Sequence, residues 1–248
     1  MRLAVFSDLH GNIEALDAFV ERIKTQAVDR LCCLGDLVGY GPSPNECVER
    51  VRSLPKVNVI LGNHDWAAYN PGDTSFDLNP VALEAIQWTQ AELKTTNMDY
   101  LKGLAPMIDM GPFTFVHTSA YKPFKWQYLV PGRNFRVWMC FRFAAGRIVF
   151  TGHTHVPVLM DDRGRSLLPG CEFPDGFVYE DDGKSRLLVN PGSLGQPRDR
   201  VFMPCYVIYD TEAKTLTWHR ILRYDCHVTI RKILRSGLPP EAAYFLLL

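Results

Sequence analysis

Five short clusters of acidic, amide and imidazole side chains each directly follow a predicted strand. They are Asp8-Leu9-His10-Gly11-Asn12, Gly35-Asp36, Gly62-Asn63-His64-Asp65, His117 and Gly152-His153-Thr154-His155. Five of the seven histidines fall in these clusters. Carboxylates, an amide oxygen and several imidazoles suit a borderline divalent ion such as Mn²⁺, Fe, Zn²⁺ or Ni²⁺, whereas Mg²⁺ and Ca²⁺ prefer more oxygen ligands. The clusters therefore predict a metal site.

The number of candidate ligands is larger than one catalytic ion needs. An ion that keeps an open coordination position usually has about three protein ligands. Two ions about 3.5–4 Å apart that share a carboxylate fit the set better, and such pairs clamp a phosphoryl group during in-line displacement. A single motif is weak evidence, because Asp-x-His also occurs as a hydrogen-bonded loop pair and Gly-Asp is common in turns. Their joint occurrence after strands favours metal.

The elements that must position the first three clusters alternate between strand and helix. Apolar runs at 3–7, 31–34 and 57–61 predict buried strands. Asn12 is expected to cap the first intervening helix, and Ser43-Pro44-Asn45-Glu46 has the pattern of a capping box that opens the second. This βαβαβ order implies parallel strands, which gather ligands beyond their carboxyl ends.

The remainder of the chain is predicted to be helical in the middle and β-rich in the last third. The further predicted elements are a helix that opens at Asn79-Pro80 with Leu83, Ile86 and Leu93 on one face, helices at 134–144 and 228–235, and strands at 113–116, 147–151, 156–160, 186–189, 206–209 and 215–223. Residues 161–185 are predicted to form an exposed loop that overhangs the site. Residues 121–128 are aromatic and basic, and either line the substrate cleft or pack as an ordinary loop.

Composition excludes several classes of protein. The 248 residues are 47% hydrophobic and hold 27 cationic and 27 acidic side chains. This predicts one domain over 1–248, with a β-rich C-terminal part and a terminal helix at about 226–248. Zero net charge gives no global attraction for polyanions, so no extended nucleic-acid surface is evident, although a local basic patch remains compatible. No apolar run approaches the ~20 residues that span a bilayer. Seven scattered cysteines without C-x-x-C predict a cytoplasmic protein.

Taken together, the five clusters resemble the calcineurin-like metallophosphoesterase signature. Asn190-Pro191-Gly192-Ser193 is similar to the element that follows the metal motifs in bacterial and archaeal phosphodiesterase-like members. The resemblance implies an α/β fold of two packed mixed β-sheets flanked by helices. It also implies a dinuclear metal-dependent phosphoesterase that acts on a phosphodiester or nucleotide-type phosphate ester, with a small phosphorylated substrate as its partner. The oligomeric state stays open.

The resemblance further implies a role for each site residue. One ion would be held by Asp8, His10 and His155, the other by Asn63, His117 and His153, with Asp36 bridging them. A hydroxide between the ions would attack the phosphorus, and His64 would contact the phosphate and protonate the leaving group. Asp65 would either orient His64 or act as a turn or helix-cap acid. Asn12 is also expected to contact substrate.

The second cluster departs from the Gly-Asp-x-x-Asp-Arg-Gly pattern of protein Ser/Thr phosphatases and diadenosine tetraphosphate hydrolases. Gly39 stands where the aspartate that pairs with the catalytic histidine is expected, and Tyr40 stands where the phosphate-binding arginine is expected. Arg198 is the candidate replacement cation, because a guanidinium binds phosphate bidentately; a surface salt bridge is the alternative.

Two other functions are open. The altered cluster counts against a phosphoprotein phosphatase, and the filled ligand positions count against a non-catalytic scaffold.

Overall fold

The computed structural model describes residues 1–73, 78–167, 173–221 and 223–246. Eleven strands lie within these residues: β1 (Arg2–Phe6), β2 (Arg30–Cys33), β3 (Val57–Val59), β4 (Met107–Met110), β5 (Phe113–Val116), β6 (Ile148–Phe150), β7 (Val158–Asp161), β8 (Phe177–Glu180), β9 (Leu187–Asn190), β10 (Cys205–Asp210) and β11 (Thr215–Arg220). The α-helices of the same residues are α1 (Ile13–Ile23), α2 (Pro44–Arg52), α3 (Asn63–Tyr69), α4 (Pro80–Glu92), α5 (Thr95–Lys102), α6 (Asn134–Phe143) and α7 (Cys226–Ser236). Short 3₁₀ helices cover Pro123–Lys125 and Pro240–Leu246.

The first sheet has the strand order β3-β2-β1-β10-β11-β8. β1, β2 and β3 are parallel, as the βαβαβ pattern predicts, whereas β10, β11 and β8 add antiparallel pairs. The side chain of Asn12 accepts the backbone N–H of Ala15 and caps α1, which confirms that prediction. The capping box predicted at α2 does not form, because Ser43 makes no side-chain cap bond, although Pro44 is the first residue of the helix.

The second sheet has the order β4-β5-β6-β9-β7, with β5, β6 and β9 parallel. The clusters after β5 and β6 therefore belong to a different sheet from those after β1, β2 and β3. The two sheets pack face to face through fully buried side chains that include Val5, Val207 and Trp218 from the first and Phe115 and Phe150 from the second. The expected pair of packed mixed sheets is confirmed.

Helices cover the outer faces of both sheets. α1 packs on the first sheet through Leu16 and Phe19. α6 packs on the second sheet through Val137, Cys140 and Phe141. No helix in the described part of the chain is long and apolar enough to cross a membrane.

Several elements differ from the sequence prediction. α3, α5, β4 and β8 were not predicted. β8 lies inside the predicted overhanging loop 161–185 and pairs with β11 at the edge of the first sheet; residues 168–172 of that loop lie outside the described residues. Leu83, predicted on the inner face of α4, is about half exposed. Gly237 ends α7 in the left-handed conformation, with φ of 84°, so the predicted terminal helix is divided into α7 and a 3₁₀ turn.

Candidate metal centre

The turns after the strands hold their side chains in an unusual backbone conformation. Asp8, His10, Asp36, His153 and His155 all have positive φ, between 47° and 67°. Residues other than glycine adopt this left-handed region at an energetic cost, and such residues cluster at functional sites. The conformation turns these five side chains back toward one point between the carboxyl ends of the two sheets.

The side chains form two groups that share one carboxylate. The first group is Asp8, His10, Asp36 and His155, and the second is Asp36, His117 and His153; within each group one atom per residue lies within 4.8 Å of the others. All six side chains are buried. The side-chain oxygen of Asn63 lies 3.0 Å from His117 Nε2, which adds an amide to the second group. The structure thus brings together every residue that the sequence nominated as a metal ligand.

Backbone carbonyls fix the orientation of three histidines. Nδ1 of His10 lies 3.1 Å from the carbonyl of Val38, and Nδ1 of His155 lies 2.7 Å from that of Gln196. His117 makes the same contact, at 2.6 Å, with the carbonyl of Leu34. A carbonyl only accepts hydrogen bonds, so each Nδ1 carries the hydrogen and each Nε2 of a neutral ring carries a lone pair.

Two of these lone pairs, those of His10 and His155, lie close together in the first group. Nε2 of His10 and Nε2 of His155 are 3.1 Å apart. In the tautomers that the carbonyls select, neither nitrogen has a hydrogen to donate, so the pair repels unless a cation lies beside it. Nε2 of His153 is buried without a hydrogen-bond partner among the described residues. Unsatisfied acceptors of this kind fit divalent metal ions.

Burial and mutual charge perturb the titration of the whole cluster. Burial raises the pKa of Asp8 to about 7. It opposes ionisation of Asp36 as well, but His117 and His64 outweigh it and hold the pKa of Asp36 well below its usual range. Burial lowers the pKa of His153 to about 3 and places the pKa of His10 far below 6.5. Burial thus disfavours protons on His10 and His153 and keeps the lone pairs of these two rings available to a metal.

His64 lies beside the two groups and on the wall of a cavity. Its backbone N–H donates to Asp36 Oδ1 at 2.8 Å, while its Nδ1 has no hydrogen-bond partner among the described residues. The ring is 4.8 Å from that of His10 and 4.8 Å from that of Tyr40. Burial lowers the pKa of His64 to about 4, so the ring is neutral at pH 7 before a substrate enters.

The carboxylate of Asp65 is occupied by the backbone. It accepts the N–H groups of Asp36, Leu37, Val38 and Gly62 at 2.8–3.2 Å. It accepts no bond from the His64 ring among the described residues. Of the two roles that the sequence left open, the structure shows the turn and helix-cap role, in which Asp65 fastens the loop after β2 to the start of α3.

Gly39 shows why an aspartate does not fit at this point of the second cluster. Its φ is 87°, and a Cβ added to it would lie 2.5 Å from Nδ1 of His64. Tyr40 follows with its ring buried. The guanidinium carbon of Arg198 lies 5.7 Å from the centre of the Tyr40 ring, and its Nη2 donates to the side chain of Gln196 at 2.6 Å. Arg198 therefore lies beside Tyr40 in the lining of the same cavity.

The cavity beside the two groups has a volume of about 360 Å³. Its polar lining near the two groups consists of Asp36, Asn63, His64, His153 and His155. Aromatic and cationic side chains form its walls, namely Tyr40, Trp126, Tyr128, Lys125 and Arg198. The Tyr128 ring stacks on that of His153 with centroids 4.2 Å apart. Residues 121–128 thus show both of the roles considered: Lys125, Trp126 and Tyr128 line the cavity, whereas Tyr121 and Phe124 pack against other aromatic rings.

Asn12 contributes to the support of the site and does not line the cavity. Besides capping α1, its amide nitrogen donates to the carbonyl of Gly195 at 3.0 Å, and its oxygen accepts the hydroxyl of Thr229 at 3.1 Å. Both ends of the side chain are thus engaged within the protein, and contact between Asn12 and substrate stays a prediction from the sequence.

The Asn190–Ser193 element also supports the ligands. The Ser193 hydroxyl donates to the carbonyl of Asp8 at 2.8 Å, and the Asn190 amide donates to the carbonyl of Gly152 at 2.7 Å. These bonds join the turns that carry Asp8 and His153. Gln196, whose carbonyl accepts from His155, was missed by sequence reasoning; its position three residues after Ser193 was the available signal.

Comparisons with known proteins identify relatives over most of the chain. A model of the calcineurin-like phosphoesterase superfamily domain matches residues 1–214. An uncharacterized protein of Methanocaldococcus jannaschii is 36% identical over 242 residues, covering 96% of this chain and 93% of that protein. The crystal structure of a metallophosphoesterase from Sphaerobacter thermophilus superposes with a TM-score of 0.84 at 35% identity, covering 99% of this chain and 98% of that one. A symmetrical bis(5′-nucleosyl)-tetraphosphatase of Chromohalobacter salexigens is 32% identical over 111 residues, which are 44% of this chain and 34% of that protein.

Proposed function

The chain belongs to the calcineurin-like phosphoesterase superfamily, metal-dependent hydrolases of phosphate esters, and we propose that it hydrolyses a phosphodiester or nucleotide-type phosphate ester at the cluster around Asp36. The observation that carries the proposal is the sharing of Asp36 between two groups of buried ligand atoms. A carboxylate placed between two such groups is suited to bridge two ions.

In this proposal the two groups hold one divalent ion each, chosen from Mn, Fe, Zn and Ni. Asp8, His10 and His155 would hold the first ion, and Asn63, His117 and His153 would hold the second, with Asp36 available to both. Such ions would polarise the phosphoryl oxygens and lower the pKa of water. They also supply the positive charge that a protein of zero net charge needs locally to hold a phosphate.

His64 is the proposed acid for the leaving group. It is buried on the cavity wall, and its side chain is not fixed to a carboxylate among the described residues. A phosphate anion in the cavity raises the pKa of a neighbouring histidine, because an opposite charge favours the protonated ring. Arg198 is the proposed cation for the non-bridging phosphate oxygens, in place of the arginine that Tyr40 replaces in the second cluster.

The cavity favours a small ester over a folded protein as the substrate. Its volume of about 360 Å³ is near the lower end of the range for small-molecule sites. The aromatic rings of Trp126 and Tyr128 suit a substrate that carries a planar ring, and one relative is named as a nucleosyl tetraphosphatase. Gly39 and Tyr40 count against a phosphoprotein phosphatase and equally against diadenosine tetraphosphate as the substrate, so the proposal extends to the class of phosphodiesters and nucleotide-type esters and not to that compound. A cytoplasmic location and one domain stay predictions from the sequence.

The substrate class can be tested with one panel. Purified protein loaded separately with Mn²⁺, Fe²⁺, Zn²⁺ and Ni²⁺ is assayed on bis-p-nitrophenyl phosphate, a dinucleotide, a nucleoside monophosphate and a phosphopeptide. We expect turnover of the diester or nucleotide compounds and little turnover of the phosphopeptide. Preference for the phosphopeptide would support a phosphoprotein phosphatase, and no turnover with any metal would support a scaffold.

A further inference from the structure

One stretch of this neutral chain is strongly basic. Between Asp109 and Asp161 there is no acidic residue, whereas there are six lysines and arginines, at positions 122, 125, 133, 136, 142 and 147. Arg147 forms an ion pair with Asp181, and the other five form none with a described residue. A local excess of unpaired positive charge attracts anions even where the total charge is zero.

The same stretch exposes large aromatic rings. On α6, Val137, Cys140 and Phe141 face the second sheet, which turns Phe135, Trp138 and Arg142 outward. Phe135 is 70% exposed and Trp138 is 50% exposed, with their ring centroids 6.0 Å apart. The Arg142 guanidinium lies 6.0 Å from the centre of the Trp138 ring. Two aromatic rings and a cation therefore lie together on one exposed helix face.

The C-terminal end of α6 contacts the segment that lines the cavity. The ring of Tyr121, at the start of that segment, lies 5.0 Å from that of Phe143, the last residue of the helix. A few residues farther along that segment, Lys125 and Tyr128 line the cavity, and Tyr128 stacks on His153. A ligand lying along α6 can therefore extend into the site.

We propose that an aromatic–basic surface binds single-stranded nucleic acid and leads one end of it into the cavity. The surface consists of Lys122, Lys125, Tyr128, Phe135, Trp138 and Arg142. A groove that offers cations to the backbone and aromatic rings to successive bases is the physical basis of single-strand binding. Binding follows from the surface alone; cleavage of the bound strand rests on the function proposed above.

Two other occupants fit the observations less well. A second copy of the chain in a symmetric dimer would place this patch against itself, and its cations would then face cations with no acid between them. An anionic membrane would satisfy the charge and the aromatic rings. A membrane surface would not extend from the helix face into the cavity, whereas one end of a strand of linked phosphates and bases can enter it.

The test measures binding separately from hydrolysis. Metal-free protein in EDTA is titrated into a 5′-fluorescein-labelled oligothymidylate of about 12 nucleotides, within the range of single-strand site sizes, and fluorescence anisotropy is recorded at several salt concentrations. We expect Trp138→Ala and Phe135→Ala each to weaken binding roughly tenfold, because stacking on an aromatic ring is lost. The double variant Lys122→Glu/Arg142→Glu should weaken binding and reduce its salt dependence.

Matched controls change similar residues elsewhere. Leu234 is 58% exposed on α7, and Lys184 is an exposed cation; Leu234→Ala and Lys184→Glu should leave oligonucleotide binding unchanged. Circular dichroism and thermal unfolding verify that every variant folds, and Phe135→Ala replaces Trp138→Ala if the latter does not fold.

Three results would overturn the proposal. The first is an oligonucleotide affinity that is the same in the wild type and in all surface variants. The second is binding to phosphatidylserine vesicles, lost in the variants, without binding to the oligonucleotide. The third is a dimer in sedimentation that Trp138→Ala dissociates, again without oligonucleotide binding.

The same measurements separate the surface from the proposed function. Oligonucleotide binding without hydrolysis by the metal-loaded protein would support the surface and count against the proposed function. Diester hydrolysis without oligonucleotide binding would support the proposed function and count against the surface.

Discussion

At the residue scale, the centre depends on which nitrogen of each histidine holds a hydrogen. The carbonyls of Val38, Leu34 and Gln196 select the Nε2 lone pairs of His10, His117 and His155. Outer contacts of this type fix both the tautomer and the direction of a metal-binding ring. Because main-chain carbonyls make these contacts, the backbone conformation of the loops is enough to orient the three rings.

Metal binding is expected to release protons. Burial disfavours the charged form of His117, but the Asp36 and Asp8 carboxylates outweigh it and raise the pKa of His117 to about 9. The pKa of Asp8 is raised to about 7, mainly by burial. At pH 7.5 the metal-free protein therefore holds a proton on His117 and a fraction of one on Asp8, and both must leave before these atoms ligate. Affinity for metal should rise with pH between about 6 and 9.

Calorimetric titration of Mn²⁺ in buffers with different ionisation enthalpies measures this release. We expect about one to two protons per chain at pH 7.5, and fewer in His117→Asn. A proton count of zero in every buffer would show that His117 is already neutral in the metal-free protein, contrary to this expectation.

His64→Gln should impair the chemical step without removing metal. A glutamine side chain cannot act as an acid, so kcat should fall roughly 10²–10⁴-fold for an ester with a poor leaving group. The loss should be much smaller for a p-nitrophenyl ester, whose leaving group needs no proton. His227 is exposed on α7, and His227→Gln is the control. An equal loss for both leaving groups would place His64 in phosphate binding instead of proton transfer.

The residues that come together in the candidate centre could be predicted from sequence because each lies in a short motif directly after an apolar run. The role of Asp65 could not, because its position predicts a carboxylate near His64 but not the four N–H groups that reach it first. The hydrogen-bond partners of Asn12 could not be predicted for the same reason. Gly195 and Thr229, its partners, are far away in sequence.

At the element scale, a buried ion pair anchors the loop that carries Arg198. Arg220 ends β11, and its guanidinium donates to the carboxylate of Asp199 and to the carbonyls of Phe173 and Met203. Both charged side chains are about 1% exposed. The loop in turn supplies the Gln196 carbonyl to His155. The pair thus holds both the proposed phosphate-binding cation and a metal ligand in place.

Asp199→Asn should destabilise the protein by about 3–5 kcal/mol, because it leaves the Arg220 charge buried without a counter-ion. The half-exposed pair of Arg2 and Asp210 is the matched control, and Asp210→Asn should cost under about 1 kcal/mol. Urea unfolding measures both. Similar small losses for the two variants would show that the Asp199 carboxylate contributes little to the stability of the fold.

The βαβαβ beginning could be predicted because its strands are continuous apolar runs and its helices have regular apolar spacing. α3 could not, because its first residues are the polar Asn63, His64 and Asp65, selected for the site and not for helical periodicity. β8 was missed because it follows a segment rich in glycine and acids, and its pairing with β11 depends on tertiary contact.

At the scale of the whole molecule, the candidate centre lies where two sheets meet. Asp8 and Asp36 follow strands of the first sheet, whereas His117 and His153 follow strands of the second. Ions bound by both sets of ligands would connect the two halves of the core. The sequence predicted the parallel strand ends but not their division between sheets, because apolar runs do not reveal which strands pair.

Removal of metal should therefore lower the stability of the entire fold. Ligands that bind only the native state stabilise it by mass action, by about 4 kcal/mol at a free concentration 1,000 times Kd. We expect EDTA to lower Tm by several degrees or more, and Mn²⁺ in excess to restore it. Equal Tm values with EDTA and with Mn²⁺ would show that the two sheets are not joined through metal.

The central claim is that Asp36 is shared by two metal ions that act on a phosphate ester. Asp36→Asn is a sharp test, because Asn retains an Oδ1 for the His64 N–H and replaces only the Oδ2 that lies 3.3 Å from His117 Nε2 and 3.6 Å from His10 Nε2. Asp99→Asn, at an exposed position on α5, is the control.

Metal content by mass spectrometry and hydrolysis of bis-p-nitrophenyl phosphate are measured on the same samples. We predict two ions per chain and turnover in the wild type and in Asp99→Asn, with at least one ion and at least about 100-fold of activity lost in Asp36→Asn. Unchanged metal content and hydrolysis in Asp36→Asn would contradict the claim.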